Sequence, residues 1–132
     1  MKTETPSTYS LPKIEHGFDL TVDQLMIRDM VREFAVNEVA PLAHEIDENH
    51  RFPTETWKKI VELGLPGIPF PEEYGGSNGG TLAYCLAVEE LSRVCGSTGL
   101  TLAAHVSLGT FPIYKWGNER LKKAYEAAHP RA

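Results

Sequence analysis

The sequence predicts an all-α fold, an orthogonal or up-down bundle of about five to six helices with one long loop rich in proline and glycine. Apolar residues recur three and four positions apart, as on a helix face, and no segment alternates like a half-buried strand. A chain of 132 residues has the usual length of one domain. We expect this domain at residues 18–132, after a flexible tail at residues 1–17 that is rich in Thr, Ser and Pro.

The first helix is expected to begin after Thr21, which has the spacing of a capping box with Gln24. Pro41 is expected to break or kink this helix, because proline lacks the amide hydrogen and disfavours helical geometry in its predecessor. A short second helix over residues 42–47 fits the sequence that follows. The apolar stripe of the first helix is Val22, Leu25, Met26, Met30, Val31, Phe34 and Ala35.

Proline and glycine mark the limits of a third helix. Pro53 suits its first turn, and Gly64 can adopt the left-handed conformation that closes a helix. Residues 65–80 then hold three prolines and five glycines in sixteen residues, which predicts a long loop without regular structure, with an ordered start and a flexible end. The apolar face of the third helix is Trp57, Ile60 and Val61.

Two more amphipathic helices follow this loop. One spans residues 81–94, where Glu89 stands four residues before Arg93 and is expected to pair with it. The other is the last helix, which Asn118 is expected to cap. Their apolar stripes are Leu82, Ala83, Leu86, Ala87, Leu91 and Val94 in the first, and Leu121, Ala124, Tyr125 and Ala128 in the second.

Residues 96–114 form a run of nineteen residues without Lys, Arg, Asp or Glu. Too many of them are Gly, Ser, Thr, Pro or His for a membrane span, which needs about 20 mostly apolar residues. A helix without a charged face is expected to lie against its own domain, a ligand or a partner. Pro112 is expected to bend it. Its small residues leave a shallow surface that another backbone or a slim ligand can approach, namely Gly99, Ala103, Ala104, Ser107 and Gly109.

Composition argues against several kinds of partner. A net charge of -5 and the absence of a dense Lys/Arg run argue against nucleic acid and anionic membranes. Cys85 and Cys95 stand ten residues apart in helical sequence, which suits neither a metal site nor a disulfide framework, so we expect two buried small hydrophobes. No signal-peptide core follows a basic start, so the expected compartment is the cytoplasm or another reducing space.

Few residues suggest chemistry by themselves. The glycine pairs at 75–76 and 79–80 follow no strand and precede no Gly-Lys-Ser/Thr, so a plain connection is favoured over a phosphate cradle. Glu89 and Glu90 are adjacent and diverge by about 100° on a helix, which excludes an acid/base pair. Glu90 lies at the edge of an apolar stripe, where an ion pair or a hydrogen bond to a neighbouring helix end explains it without a catalytic role.

His105 lies in the uncharged run, two residues before Ser107. Residues two apart on a helix point away from each other, so these two cannot act as nucleophile and base. His105 is expected to be a core histidine more readily than a ligand contact, and Trp57 and Trp116 to be core fillers or interface anchors rather than cofactor stackers. The remaining histidines lack the spacing of a zinc site, and they are His16, His44, His50 and His129.

A series of short fragments stands in a fixed order along the chain. They are Phe18-Asp19-Leu20-Thr21, Phe34 through Ala40-Pro41, Phe52-Pro53, Leu63-Gly64-Leu65, Pro71-Glu72-Glu73-Tyr74-Gly75-Gly76, Glu89-Glu90-Leu91, His105 with Ser107-Leu108-Gly109, Gly117-Asn118-Glu119 and Lys122-Lys123-Ala124-Tyr125. In this order they resemble the N-terminal domain of the acyl-CoA dehydrogenase family. The resemblance covers about residues 18–125.

The resemblance implies that a middle β domain and a C-terminal helical domain complete the enzyme and hold most of its FAD. A glutamate from the later part of such chains removes the α-proton of the acyl-CoA substrate, and no residue here matches it. We therefore assign no catalytic, cofactor-binding or metal residue, and expect no FAD to be firmly bound by this chain alone. The uncharged run is expected to wall the acyl-chain pocket through Thr101, Ala104, His105 and Leu108.

Family members continue after the position of Tyr125 with Leu-Pro and the β domain, whereas this chain ends with residues 126–132. The resemblance thus implies a truncated or split gene product, or an excised domain, that is inactive alone and whose missing domains come from elsewhere, such as a partner subunit. The alternative is a non-catalytic helical module for binding or oligomerisation. An exposed apolar surface and self-association are expected.

Overall fold

The computed structural model describes residues 19–125, and all regular structure in that range is helical. Two helices continue through a π-helical turn, at Ala35–Val39 and at His105–Thr110, so the α-helical segments join into five continuous helices. This confirms the predicted all-α class. The predicted tail and Ala128 lie outside the described residues. The segments are α1 (Val22–Phe34), α2 (Ala40–Glu48), α3 (Thr54–Glu62), α4 (Gly80–Val94), α5 (Gly96–Ala104), α6 (Phe111–Trp116) and α7 (Glu119–Ala124).

Both π-helical turns lie just before a proline. Pro41 stands in the first turn of α2, and Pro112 stands in the first turn of α6. Proline lacks an amide hydrogen and its ring collides with the carbonyl one turn earlier, so a widened preceding turn accommodates it. The expected break at Pro41 is therefore replaced by a change of pitch, and the helical backbone runs from α1 into α2.

The core lies where α1 and α5 pack against α4. The short α7 contributes no buried residue. The long loop between α3 and α4 completes the core with the side chains of Leu65, Ile68 and Phe70. This loop is therefore packed against the helices. The largest fully buried apolar side chains are Val31, Val39, Ile60, Leu65, Phe70, Leu91 and Leu102.

Local signals set the helix boundaries as predicted. Thr21 Oγ1 accepts from the Gln24 amide at 3.2 Å, and Gln24 Oε1 accepts from the Thr21 amide at 3.0 Å, which completes the capping box. Gly64 ends α3 with a φ of 72°, in the left-handed region. Asn118 Oδ1 accepts from the Leu121 amide at 3.0 Å at the start of α7.

The loop at residues 65–79 is more regular than its composition predicted. It contains two short 3₁₀ turns, at Leu65–Gly67 and Glu72–Tyr74. Its C-terminal end, predicted to be flexible, is hydrogen-bonded to its N-terminal part, because each amide there donates to a carbonyl of the same loop. These hydrogen bonds run from the amides of Ser77, Asn78 and Gly79 to the carbonyl oxygens of Gly67, Phe70 and Ile68 at 3.1, 2.8 and 2.7 Å.

Two side-chain predictions on α4 are wrong. Arg93 pairs with the buried Glu90, at 3.2 Å, rather than with Glu89, because the desolvated carboxylate attracts the available cations. Cys95 is buried as predicted, but Cys85 is exposed. The helical period explains this exposure, since Cys85 shares its side of α4 with the exposed Leu82, three residues earlier, and not with the core.

Candidate functional site

The uncharged run at residues 96–114 has one packed side and one open side. It forms α5, the second π-helical turn and the start of α6. Leu102 and Val106 are buried on the packed side. On the open side Leu100 is 67% exposed and Leu108 is 78% exposed. An apolar and charge-free side that its own domain leaves uncovered is typical of a surface that binds a ligand or another protein segment.

All four predicted pocket residues lie on the open side. Thr101, Ala104, His105 and Leu108 are three or four residues apart, which puts them on one face of the helix, and each of them is at least partly exposed. Leu100 belongs to the same face and was missed by the sequence analysis, although it stands four residues before Ala104. We call these five residues the wall face.

Hydroxyl groups near the wall face are used inside the helix. Thr101 Oγ1 donates to the Ser97 carbonyl at 2.8 Å, and Ser107 Oγ donates to the Ala103 carbonyl at 2.6 Å. The Ser107 hydroxyl therefore donates to the backbone of its own helix and not to the ring of His105. With its hydroxyls occupied, this surface is suited to apolar contact rather than to hydrogen bonding.

His105 is half-buried at the edge of the core. Its ring lies against Trp57 of α3, with centroids 5.2 Å apart and planes at 66°. Burial lowers the pKa of His105, so the imidazole is neutral at pH 7. Trp57 packs against the core as predicted, whereas Trp116 is 75% exposed and fits only the interface alternative.

α4 and α5 approach closely at Gly99. A Cβ at this position would overlap the side chain and backbone of Ser92 on α4. Part of the shallow surface predicted for the uncharged run is therefore covered by α4 of the same domain. This close approach fixes the position of α5, and with it the position of the wall face.

Glu90 has a structural role. It is 4% exposed, and it accepts hydrogen bonds from Arg32 Nε and Nη2 at 3.0 and 2.7 Å and from Arg93 at 3.2 Å. Burial raises the pKa of Glu90, but the hydrogen bonds and charges of Arg32 and Arg93 outweigh it and leave the pKa below its usual value. Glu90 thus joins α4 to α1 as an ion pair, as the sequence analysis predicted.

The glycine-rich part of the loop does not fit the pyrophosphate of a flavin cofactor. The amides of residues 75–79 all donate to carbonyl oxygens of the same loop, so none of them remains to bind a phosphate. Within residues 19–125, moreover, no cluster of three or more His, Cys, Asp and Glu side chains is arranged to hold a metal ion.

Concave regions lie elsewhere on the surface that residues 19–125 form. A groove of about 520 Å³ separates α1 from the loop and is lined by Met26, Ile27, Met30, Leu63 and Ile68 among others. A smaller cavity of about 240 Å³ borders the second π-helical turn. Neither is lined by the four predicted pocket residues. The wall face is therefore an open surface that belongs to neither of these concave regions. In the described range, no helix combines the length and apolar character needed to cross a membrane.

The class of protein that the structure defines is an all-helical domain with one apolar, charge-free face exposed. The sequence model described as "Acyl-CoA dehydrogenase, N-terminal domain" matches residues 21–128. The chain therefore belongs to the acyl-CoA dehydrogenase family and corresponds to the N-terminal domain of its members.

Individual relatives agree with this assignment. The chain is 56% identical to the probable acyl-CoA dehydrogenase YngJ of Bacillus subtilis, over 83% of this chain and 29% of that protein. It is 55% identical to the short-chain specific acyl-CoA dehydrogenase of Clostridium acetobutylicum, over 82% of this chain and 28% of that protein. The chain thus spans less than a third of the relatives that it matches.

Solved structures give the same result. Butyryl-CoA dehydrogenase from Megasphaera elsdenii superposes with a TM-score of 0.78 at 35% identity, over 83% of this chain and 30% of that one. An acyl-CoA dehydrogenase from Bacillus anthracis complexed with FAD superposes with a TM-score of 0.76 at 37% identity, over 83% of this chain and 19% of that one.

Proposed function

We propose that this chain serves as the N-terminal helical domain of an FAD-dependent enzyme that introduces a double bond between the α and β carbons of an acyl-CoA thioester. The single observation that carries the proposal is the open apolar side of a helix without charge, in a chain whose relatives are named acyl-CoA dehydrogenases. A face of this kind suits an alkyl chain, which gains free energy from apolar contact alone.

In this proposal the wall face forms one side of the acyl-chain pocket. Ala104 and Thr101 leave room for the alkyl chain, and Leu108 and His105 supply apolar contact. The flavin is assigned to the parts of the enzyme that correspond to the rest of its relatives, because the amides of residues 75–79 already donate within the loop. Glu90 is held by two arginines, so it is not a candidate for the base.

The open apolar surface also suits protein partners. We propose that the β and C-terminal domains of the enzyme, or a partner subunit that supplies them, cover the exposed apolar side chains, and that the chain self-associates without them. The cytoplasm stays the proposed compartment. The division into a tail at residues 1–17 and one domain at residues 18–132 also stays a prediction.

The test is a graft. Residues 19–125 replace the matching segment of the Bacillus subtilis relative YngJ, and the purified hybrid is assayed for bound flavin and for reduction of an electron-accepting dye by acyl-CoA. We expect flavin in stoichiometric amount and dye reduction that depends on acyl-CoA. The 132-residue chain alone is expected to show neither. A folded, flavin-loaded hybrid that oxidises no acyl-CoA would contradict the proposed function, and stoichiometric flavin on the isolated chain would contradict its dependence on other domains.

A further inference from the structure

A row of three aromatic rings runs from the connection between α2 and α3 to the wall face. Phe52 and Trp57 have ring centroids 6.3 Å apart and planes at 63°, and Trp57 and His105 follow at 5.2 Å and 66°. Edge-to-face pairs at such distances are attractive beyond the area that they bury. Trp57 belongs to α3, so this contact joins an element outside the uncharged run to a residue of the wall face.

The contact with Trp57 is the main restraint on the His105 side chain. Within residues 19–125 the imidazole nitrogens have no hydrogen-bond partner, and the hydrogen bonds of His105 are made by its backbone, whose amide donates to Leu102 and Thr101 and whose carbonyl accepts from Thr110. Burial keeps the ring neutral, so no ion pair orients it. Trp57 is itself anchored, since it packs against the hydrophobic core. The orientation of the imidazole is therefore set by packing against the indole.

We propose that Trp57 is a positioning residue for the acyl-chain wall, which holds the His105 ring in one orientation and thereby sharpens discrimination between acyl chains of different length. This inference rests on the proposed function, because it requires that His105 contact the alkyl chain. Without Trp57 the imidazole rotates freely and the wall loses its fixed shape. An apolar pocket separates substrates that differ by one methylene by roughly 10-fold or more only while its shape is maintained.

The first test is independent of catalysis. In the full 132-residue chain, NMR resonances of the His105 ring are expected to be displaced by the indole ring current and to move toward the positions of an exposed histidine in Trp57→Leu. Trp57→Phe keeps an aromatic edge and is expected to retain most of the displacement. Tyr114→Leu is the matched control, because it removes a similar pair with Phe70, at 5.4 Å and 65°, without touching His105. Equal His105 spectra in wild type and Trp57→Leu would overturn the proposal.

The second test uses the graft into YngJ. In Trp57→Leu the ratio of kcat/KM between the preferred acyl-CoA and one two carbons longer is expected to fall roughly 10-fold, with rescue by Trp57→Phe and no change in Tyr114→Leu. A merely structural role lowers kcat/KM for both substrates equally, and that result would overturn the proposal while leaving the proposed function intact. A folded, flavin-loaded hybrid without any activity overturns the proposed function instead, and the chain-length claim with it.

Discussion

At the scale of single residues, Glu90 is a charged side chain that is both buried and paired. Its carboxylate is almost fully buried and is bonded to Arg32 and Arg93. Glu90→Gln is expected to lower the free energy of unfolding by about 2 kcal/mol, because it removes charge-assisted hydrogen bonds and leaves the guanidinium groups poorly paired. Denaturant titration at pH 7 measures this change.

Glu89→Gln is the matched control for this prediction. It makes the same chemical change one residue earlier, on the exposed side of α4. We expect an effect within about 0.5 kcal/mol. Equal effects of the two substitutions would show that the buried ion pair does not stabilise the contact between α1 and α4.

The same carboxylate makes stability depend on pH. Folding lowers the pKa of Glu90, so the unfolded chain binds more protons as the pH falls through about 4.3, the usual value for glutamate. The contribution of Glu90 is therefore complete at neutral pH and is lost in acid. Between pH 5 and pH 3 the free energy of unfolding is expected to fall less in Glu90→Gln than in wild type. Identical acid profiles would contradict the lowered pKa.

Predictions for single side chains succeeded in part. Cys95 is buried and Glu90 is paired, as predicted, whereas the expected burial of Cys85 did not take its place in the helical period of α4 into account. The expected pairing of Glu89 with Arg93 failed because the competing partner, Glu90, is desolvated by α1. That helix lies far away in sequence, and a sequence pattern does not reveal its contact.

At the scale of elements, Gly99 determines how closely α5 lies to α4. Gly99→Ala is expected to destabilise the fold by about 1–3 kcal/mol, because the added Cβ collides with Ser92, including its backbone. Gly109→Ala is the control in the same uncharged run, since a Cβ there meets open space and the φ is not positive. It is expected to be neutral or stabilising by up to about 1 kcal/mol. Thermal unfolding distinguishes the two, and equal destabilisation would contradict the close approach.

The helix limits could be predicted from the sequence because a capping residue acts only on backbone groups a few positions away. Thr21, Gly64 and Asn118 act as their residue types indicated. The π-helical turns could not be predicted, since a proline is compatible with a break, a kink or a widened turn, and packing decides among them. The turn before Pro41 packs against α4, and this contact favours a continuous helix.

At the scale of the whole molecule, the location of the candidate site could be predicted from the sequence more readily than its residues. A run of nineteen residues without charge marked the surface by itself. The four pocket residues came from the family resemblance, and they stay a prediction. The part played by Trp57 was missed because its contact with His105 joins distant parts of the sequence.

The exposed apolar side chains predict association of the isolated chain. Light scattering is expected to give a mean mass above the monomer mass of 14.7 kDa, and the double change Leu100→Asp and Leu108→Asp is expected to shift it toward that value. Val36→Asp is the control, because Val36 is exposed but lies on the first π-helical turn. A wild-type chain that is monomeric at high concentration would contradict this prediction.

The most direct test of the central claim is the chain-length profile of the YngJ graft carrying Ala104→Leu. The larger side chain fills space on the wall face, so kcat/KM for the longest accepted acyl-CoA is expected to fall roughly 10-fold or more, while the shortest substrate changes by less than roughly 3-fold. A loss of the same size for every chain length would contradict the placement of the alkyl chain against the wall face.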